Sequence, residues 1–170
     1  LVVEADDSDL LTYTWEQIDA GGVDGGTANA SEMASDNGAN PLFRSYAAVS
    51  DSYRYFPALD DVLNDTVGFG EAYATTNREL NFRVTVKDNK GGVDTADVSL
   101  DVVDTGTEFT VNQPNASSVW QGNIAQTISW NTALTENAPI NCQFVDITAD
   151  LDGDNVFDST LANNAANDGE

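Results

Sequence analysis

At 170 residues and 41% hydrophobic content, the chain is long and apolar enough to bury a core, which excludes a disordered acidic tail. It carries 29 acidic and 6 basic residues, a net charge of −23, and no histidine, so histidine-dependent catalysis is excluded as well. All six cations lie between residues 44 and 90, and residues 91–170 hold 13 acids without a base, which makes nucleic acid and anionic membrane surfaces poor partners.

No apolar run reaches the ~18–20 residues of a bilayer span, so membrane insertion is not expected. The opening LVVEADD runs straight into an acidic turn and does not read as a signal peptide, so a mature fragment or an excised piece is expected, while the acidic balance points to a soluble extracellular protein in saline water, to carboxylates that hold divalent cations, or to both. Within the first segment, EADDSD places Glu4, Asp6, Asp7 and Asp9 ahead of a strand. Asp6 and Asp9, with Asp88 folded beside them, form a second and weaker calcium candidate. A turn closed by Asx hydrogen bonds is the favoured reading there.

LLTYTWEQI alternates Leu11, Tyr13 and Trp15 on one face, the pattern of a strand. A tryptophan in an early strand of a unit of ~100 residues is how immunoglobulin-like sandwiches fill their core. Residues 20–41 are rich in Gly, Ala, Ser and Asn and read as a long surface loop, too polar for core. PLFRSY and SYRYFP read as short aromatic strands, and ALDDVLND as one or two helical turns with Leu59, Val62 and Leu63 on one face. In RELNFRVTVKDNKGGVDTADVSLDVVD, Leu80, Phe82, Val84 and Val86 alternate with polar residues, then Val98, Leu100 and Val102 do the same. DNKGG between them supplies the residues a tight turn needs, so residues 78–104 are a β-hairpin with one wet face.

A boundary is expected near DTGTEF, dividing the chain into 1–105 and 106–170. Past it, EFTVNQP, a segment with Ile128 and Trp130 in phase, and INCQFVDITAD with Val145 and Ile147 in phase read as further strands. The tail LANNAANDGE shows no periodicity. Sandwiches use about seven strands in ~100 residues, and the second unit is too short for that. The expected fold is therefore all-β, tandem immunoglobulin-like β-sandwich units, the second incomplete.

The run ADDSDLLTYTWEQID, NPLFRSY, YRYFPALDDVL, RELNFRVTVKDNKGG and VWQGNIAQTISWNTA…APINCQFVDI resembles, in order and over most of the chain, the region after the catalytic domain of secreted bacterial reprolysin-like zinc metallopeptidases. LTYTWEQ, PLFRS and LNFRVTVKDN carry most of the specificity. The resemblance implies a tandem of immunoglobulin-like accessory domains, secretion, and a noncatalytic role beside an upstream zinc protease domain. The HExxH signature of such a protease needs histidine, so no protease residue carries over.

This chain departs from that pattern after INCQFVDI, where ADLDGDNVFDST stands in place of an ordinary turn. Asp150, Asp152, Asp154 and Asp158 occupy positions 1, 3, 5 and 9 of a calcium loop, with the Val156 carbonyl at position 7. Position 6, which must turn sharply, is Asn155, and Leu161 stands where an EF-hand places its bidentate glutamate. A structural calcium of weak extracellular affinity and a solvated acidic turn both remain open, with calcium favoured. Cys142 has no disulfide partner and no activating base, and reads as a small hydrophobe. Trp15, Trp130 and Tyr13 read as core, while Trp120 beside a glycine turn is an exposed candidate for sugar contact. Carboxylate pairs suited to glycoside hydrolysis are expected by chance among 29 acids, so none is singled out. Two incomplete sandwiches also raise an alternative role, a self-assembling filament or adhesin subunit completed by strand exchange with other chains of the same protein.

Overall fold

The structure, a computed structural model, describes residues 10–21, 35–64, 66, 68–154 and 156–170. Among them the chain is all-β, with antiparallel sheets and one five-residue helix, and it divides into two compact units, Leu1–Val102 and Val103–Glu170.

The first unit is built on β1 (Thr12–Gln17), β2 (Arg78–Lys87) and β3 (Val93–Val102), in the sheet order β1-β2-β3. The hairpin joining β2 to β3 turns through Asn89 and Gly91, both at positive φ. Its register sets Leu80 opposite Leu100 and Phe82 opposite Val98, while Trp15 of β1 faces Val84. Residues directly opposite share a face. One face therefore carries Trp15, Leu80, Phe82 and Val102, and there Leu80 and Phe82 are buried with Leu42, Phe43 and Ala72 of the covering segments. Phe56 packs edge-on against Phe43 with ring centroids 5.1 Å apart. The other face is wet and carries Arg83, which grips Asp97 through two bonds of 2.7 and 2.8 Å.

That cover is not made of strands. PLFRSY, read from sequence as a strand, contributes one isolated bridge, Phe43 with Glu71, and SYRYFP, read likewise, none; the residues between them add a second, Val49 with Tyr13. The reason is that side chains take the backbone groups a ladder would use. Gln17 Oε1 accepts the amides of Leu42 and Phe43 at 2.7 and 3.0 Å, Glu71 accepts the Ala58 amide, and the Trp15 indole donates to the Ser52 carbonyl. With those groups satisfied, the chain loses the drive to pair as a sheet. The cover also stops short of β3, leaving Val98 and Leu100 40% and 51% exposed. The expected hairpin thus forms, but β3 is wet on both faces. The helix α1 (Leu59–Leu63) is present as expected, yet Val62 and Leu63 of its apolar set are exposed.

A second correction concerns residues 35–40, read as the end of a surface loop. Asn40 is 0% exposed. Asp36, its side chain buried, accepts bonds from the amides of Gly38, Thr75 and Thr76, from the Thr76 hydroxyl and from the Arg78 guanidinium. Buried polar side chains are stable when they are hydrogen-bonded, and here residues 75–78 supply most of the donors to Asp36. Residues 22–34 of that stretch lie outside the described residues.

The second unit holds β4 (Thr110–Gln113) paired with β5 (Ser129–Asn131), and β6 (Phe144–Ala149) paired with β7 (Ser159–Ala166). Trp130 is buried and its indole donates to Asn167 Oδ1 at 2.9 Å. Asn167 in turn donates to Thr135 and to the Cys142 carbonyl, so one buried amide ties three segments together. The tail LANNAANDGE, which shows no periodicity in sequence, supplies residues 161–166 of β7. Its regularity is hidden because register shifts interrupt the β6–β7 ladder and Asn164 adopts φ 52°, its amide held by Asp146. The half-buried positions consequently fall at Ser159, Ala162 and Ala165, three apart instead of two.

Candidate functional site

The loop between β6 and β7 carries the acidic motif. Asp150, Asp152 and Asp154 each offer a carboxylate oxygen, and these oxygens all lie within 4.8 Å of one another. Two ligands on one Ca²⁺ at the usual ~2.3–2.6 Å can be no further apart than about 5 Å, so the three fit a single hard cation. The loop is tightened by its own carboxylates. Asp150 Oδ1 accepts the amides of Asp152 and Gly153 at 3.1 and 2.7 Å, and Asp154 Oδ1 accepts that of Val156 at 2.8 Å. The sharp turn among the described residues is taken by Gly153, at φ 82°. Asn155, to which sequence assigned the sharp turn, lies outside the described residues.

Asp158 stands apart from the triad: it sits one residue before β7, and its Oδ1 accepts the Ser159 hydroxyl at 3.3 Å. Val156 is exposed, next to Phe157. Three carboxylates converge here, in a half of the sequence, residues 91–170, that holds no Lys or Arg. For the weaker candidate, Asp6 and Asp9 lie outside the described residues. Asp88 is occupied by the hairpin, where it accepts the amides of Lys90 and Gly92, and the Lys90 amide foremost holds its carboxyl below the usual range.

A different constellation, not singled out from sequence, lies in the first unit. Arg54 reaches under the cover to Glu71 at 2.5 Å and to the Trp15 carbonyl at 2.9 Å. Burial pushes the Glu71 carboxyl up even with Arg54 beside it, and burial likewise pulls Arg54 below its ordinary value although Glu71 opposes this. The Arg54 guanidinium lies 4.4 Å from the Tyr46 ring centre, and that of Arg44 lies 4.2 Å from the same ring. Of the residues read as core, Trp130 is core, whereas Trp15 and Tyr13 are half-buried and line a hollow beside this ion pair. Trp120 is 43% exposed. The density of aromatic and basic residues in SYRYFP was the available signal, and reading it as a strand obscured it.

Comparison with protein-family models, curated proteins and solved structures returns no match. Among the described residues no helix is long and apolar enough to cross a membrane.

Proposed function

We propose that this chain is a noncatalytic extracellular accessory region of a secreted bacterial metallopeptidase, built from immunoglobulin-like β units and stiffened by calcium at the 150–158 loop. The observation that carries this reading is the ordered run of LTYTWEQ, PLFRS and LNFRVTVKDN, which resembles the region following the protease domain. The β-rich architecture and the chain's lack of histidine accord with a supporting role. Its partner is then the upstream catalytic domain, with neither nucleic acid nor membrane insertion involved. The reading requires a zinc-protease domain with an HExxH helix encoded ahead of this chain in the same reading frame. A frame without one refutes it.

A second reading, self-assembly by strand exchange, draws support from β3. Among the described residues this ten-residue strand pairs only with β2, and the apolar Val98 and Leu100 are exposed along it. Such an edge accepts an added strand. Light scattering on the purified chain decides: concentration-dependent growth abolished by Leu100→Lys supports exchange, and a monomer at every concentration eliminates it.

A further inference from the structure

The hollow beside β1 measures about 230 Å³, and its wall includes Tyr13, Trp15, Tyr46, Tyr53 and Tyr55. Four of the chain's five tyrosines therefore meet at one place. No acid lines it, although the chain carries 29, and its single cation, Arg54, is neutralised by Glu71. The result is an aromatic patch without a lining carboxylate on a protein of net charge −23.

Its rings are set before any ligand arrives. Tyr46 is held by the guanidinium groups of Arg44 and Arg54, and Tyr53 meets Tyr55 edge-on at 5.7 Å. Tyr53 and Tyr55 nevertheless remain 62% and 51% exposed, so their faces are open to a partner. Preset rings lose little freedom on binding, which favours affinity. Among the described residues, the hydroxyls of Tyr13, Tyr53 and Tyr55 engage in no hydrogen bond, whereas the Trp15 indole is held by Ser52 and Arg54 by Trp15 and Glu71. The free polar groups of the hollow are thus hydroxyls, which both donate and accept.

We propose that this hollow binds a neutral carbohydrate chain, one pyranose ring lying against the tyrosine faces and its hydroxyls exchanging hydrogen bonds with those of Tyr13, Tyr53 and Tyr55. A pyranose presents an apolar C–H face and a rim of groups that donate and accept, matching both features. Anionic polysaccharides are repelled by the surrounding charge. Proline-rich peptides also favour aromatic grooves, but their carbonyls only accept and so use half of what these hydroxyls offer, whereas a sugar hydroxyl both donates and accepts. At less than the ~300–1,000 Å³ of a whole-ligand pocket, the hollow suits one ring of a polymer crossing it. The inference is independent of the parent enzyme and of calcium.

Isothermal titration of the full 170-residue chain tests it, using cellohexaose, xylohexaose, laminarihexaose and chitohexaose, with polygalacturonate and a proline decamer as competitors. At least one neutral hexasaccharide should bind with Kd of about 1 mM or tighter. Tyr53→Ala and Tyr55→Ala should each weaken that binding about tenfold or more without lowering the melting temperature. Tyr53→Phe, which keeps the ring and removes only the hydroxyl, should weaken it about threefold. Tyr73→Ala, outside the hollow, should leave it unchanged. The proposal is overturned if no neutral hexasaccharide binds at about 10 mM, if binding survives the Tyr53 and Tyr55 substitutions, or if the proline decamer binds through these tyrosines instead.

Discussion

Replacing Asp36 by alanine should be among the most damaging single changes to the first unit. The carboxylate accepts five hydrogen bonds, and its partner Arg78 has a side chain only 6% exposed. Removing it strands a buried guanidinium, which typically costs ~3–5 kcal/mol. Arg78 keeps its bond to the Asn40 carbonyl, and the amides of Gly38 and Thr75 lie near solvent, so a loss of about 4 kcal/mol is expected. Against the ~5–15 kcal/mol of a whole domain, that is a large fraction. With an m-value of ~1–3 kcal/mol/M in urea, the midpoint should fall by roughly 1.3–4 M, followed through amide exchange in β2. Asp36→Asn keeps one acceptor and should lose about half as much. The pH dependence follows the same carboxylate. Burial acts to raise its pKa, but the Gly38 amide, Thr76, Thr75 and Arg78 together hold it below the ordinary aspartate value of 3.8. Its contribution is therefore complete above 3.8 and lost as pH falls through the lower folded value, so wild type and Asp36→Asn should converge in acid. Adding Arg78→Met to Asp36→Ala should recover part of the loss, since the orphaned cation is then gone. A midpoint shift below about 0.5 M for Asp36→Ala, or no recovery in the double variant, would refute the reasoning.

Gln17→Leu removes the acceptor for two amides beneath the cover and should cost about 2–3 kcal/mol, lowering the melting temperature by roughly 10 °C or more, while Gln17→Glu, which keeps the acceptor, should lose less. Equal melting of Gln17→Leu and wild type would count against the cover's being tied through this side chain. Trp130→Phe keeps most of the buried ring but deprives Asn167 of its indole donor, and about 1–2 kcal/mol of the second unit's stability should go with it in chemical denaturation. For calcium, an extracellular-grade Kd of ~0.1–1 mM implies that 10 mM ion stabilises by about 1.4–2.7 kcal/mol. Melting should rise by several degrees over EDTA, and Asp152→Asn should abolish the rise; an unchanged curve with the wild-type chain rejects a bound ion.

The hairpin was legible because its two strands alternate strictly and the turn between them supplies Asn89 and Gly91 for positive φ. That Asp150, Asp152 and Asp154 meet is also local, following from their spacing within one tight loop. Asp158 was not separable from them by spacing, because its position depends on where β7 begins. β7 escaped notice since shifts of register break the two-residue rhythm on which strand reading depends. The knot at Asp36 and Asn40 was misread for a different reason. Composition marks such a stretch as polar, but its burial depends on donors from residues 75–78, some forty positions away. The tyrosine hollow is likewise non-local, drawing Tyr13 from β1 and the rest from the cover.

The irregular cover also bears on how this protein can change over evolutionary time. Its main ties sit at Leu42 and Phe43 on one side and at Ser52, Arg54 and Ala58 on the other. Between them, the bridge from Val49 to Tyr13 is the backbone pairing to the sheet. A strand in that place would transmit every insertion as a slip of register, whereas a strap fastened at its ends absorbs it. Within residues 44–51, change is therefore best tolerated at positions 47, 48, 50 and 51, whereas Ser45, Tyr46 and Val49 are held by Glu16, by Arg44 and Arg54, and by Tyr13.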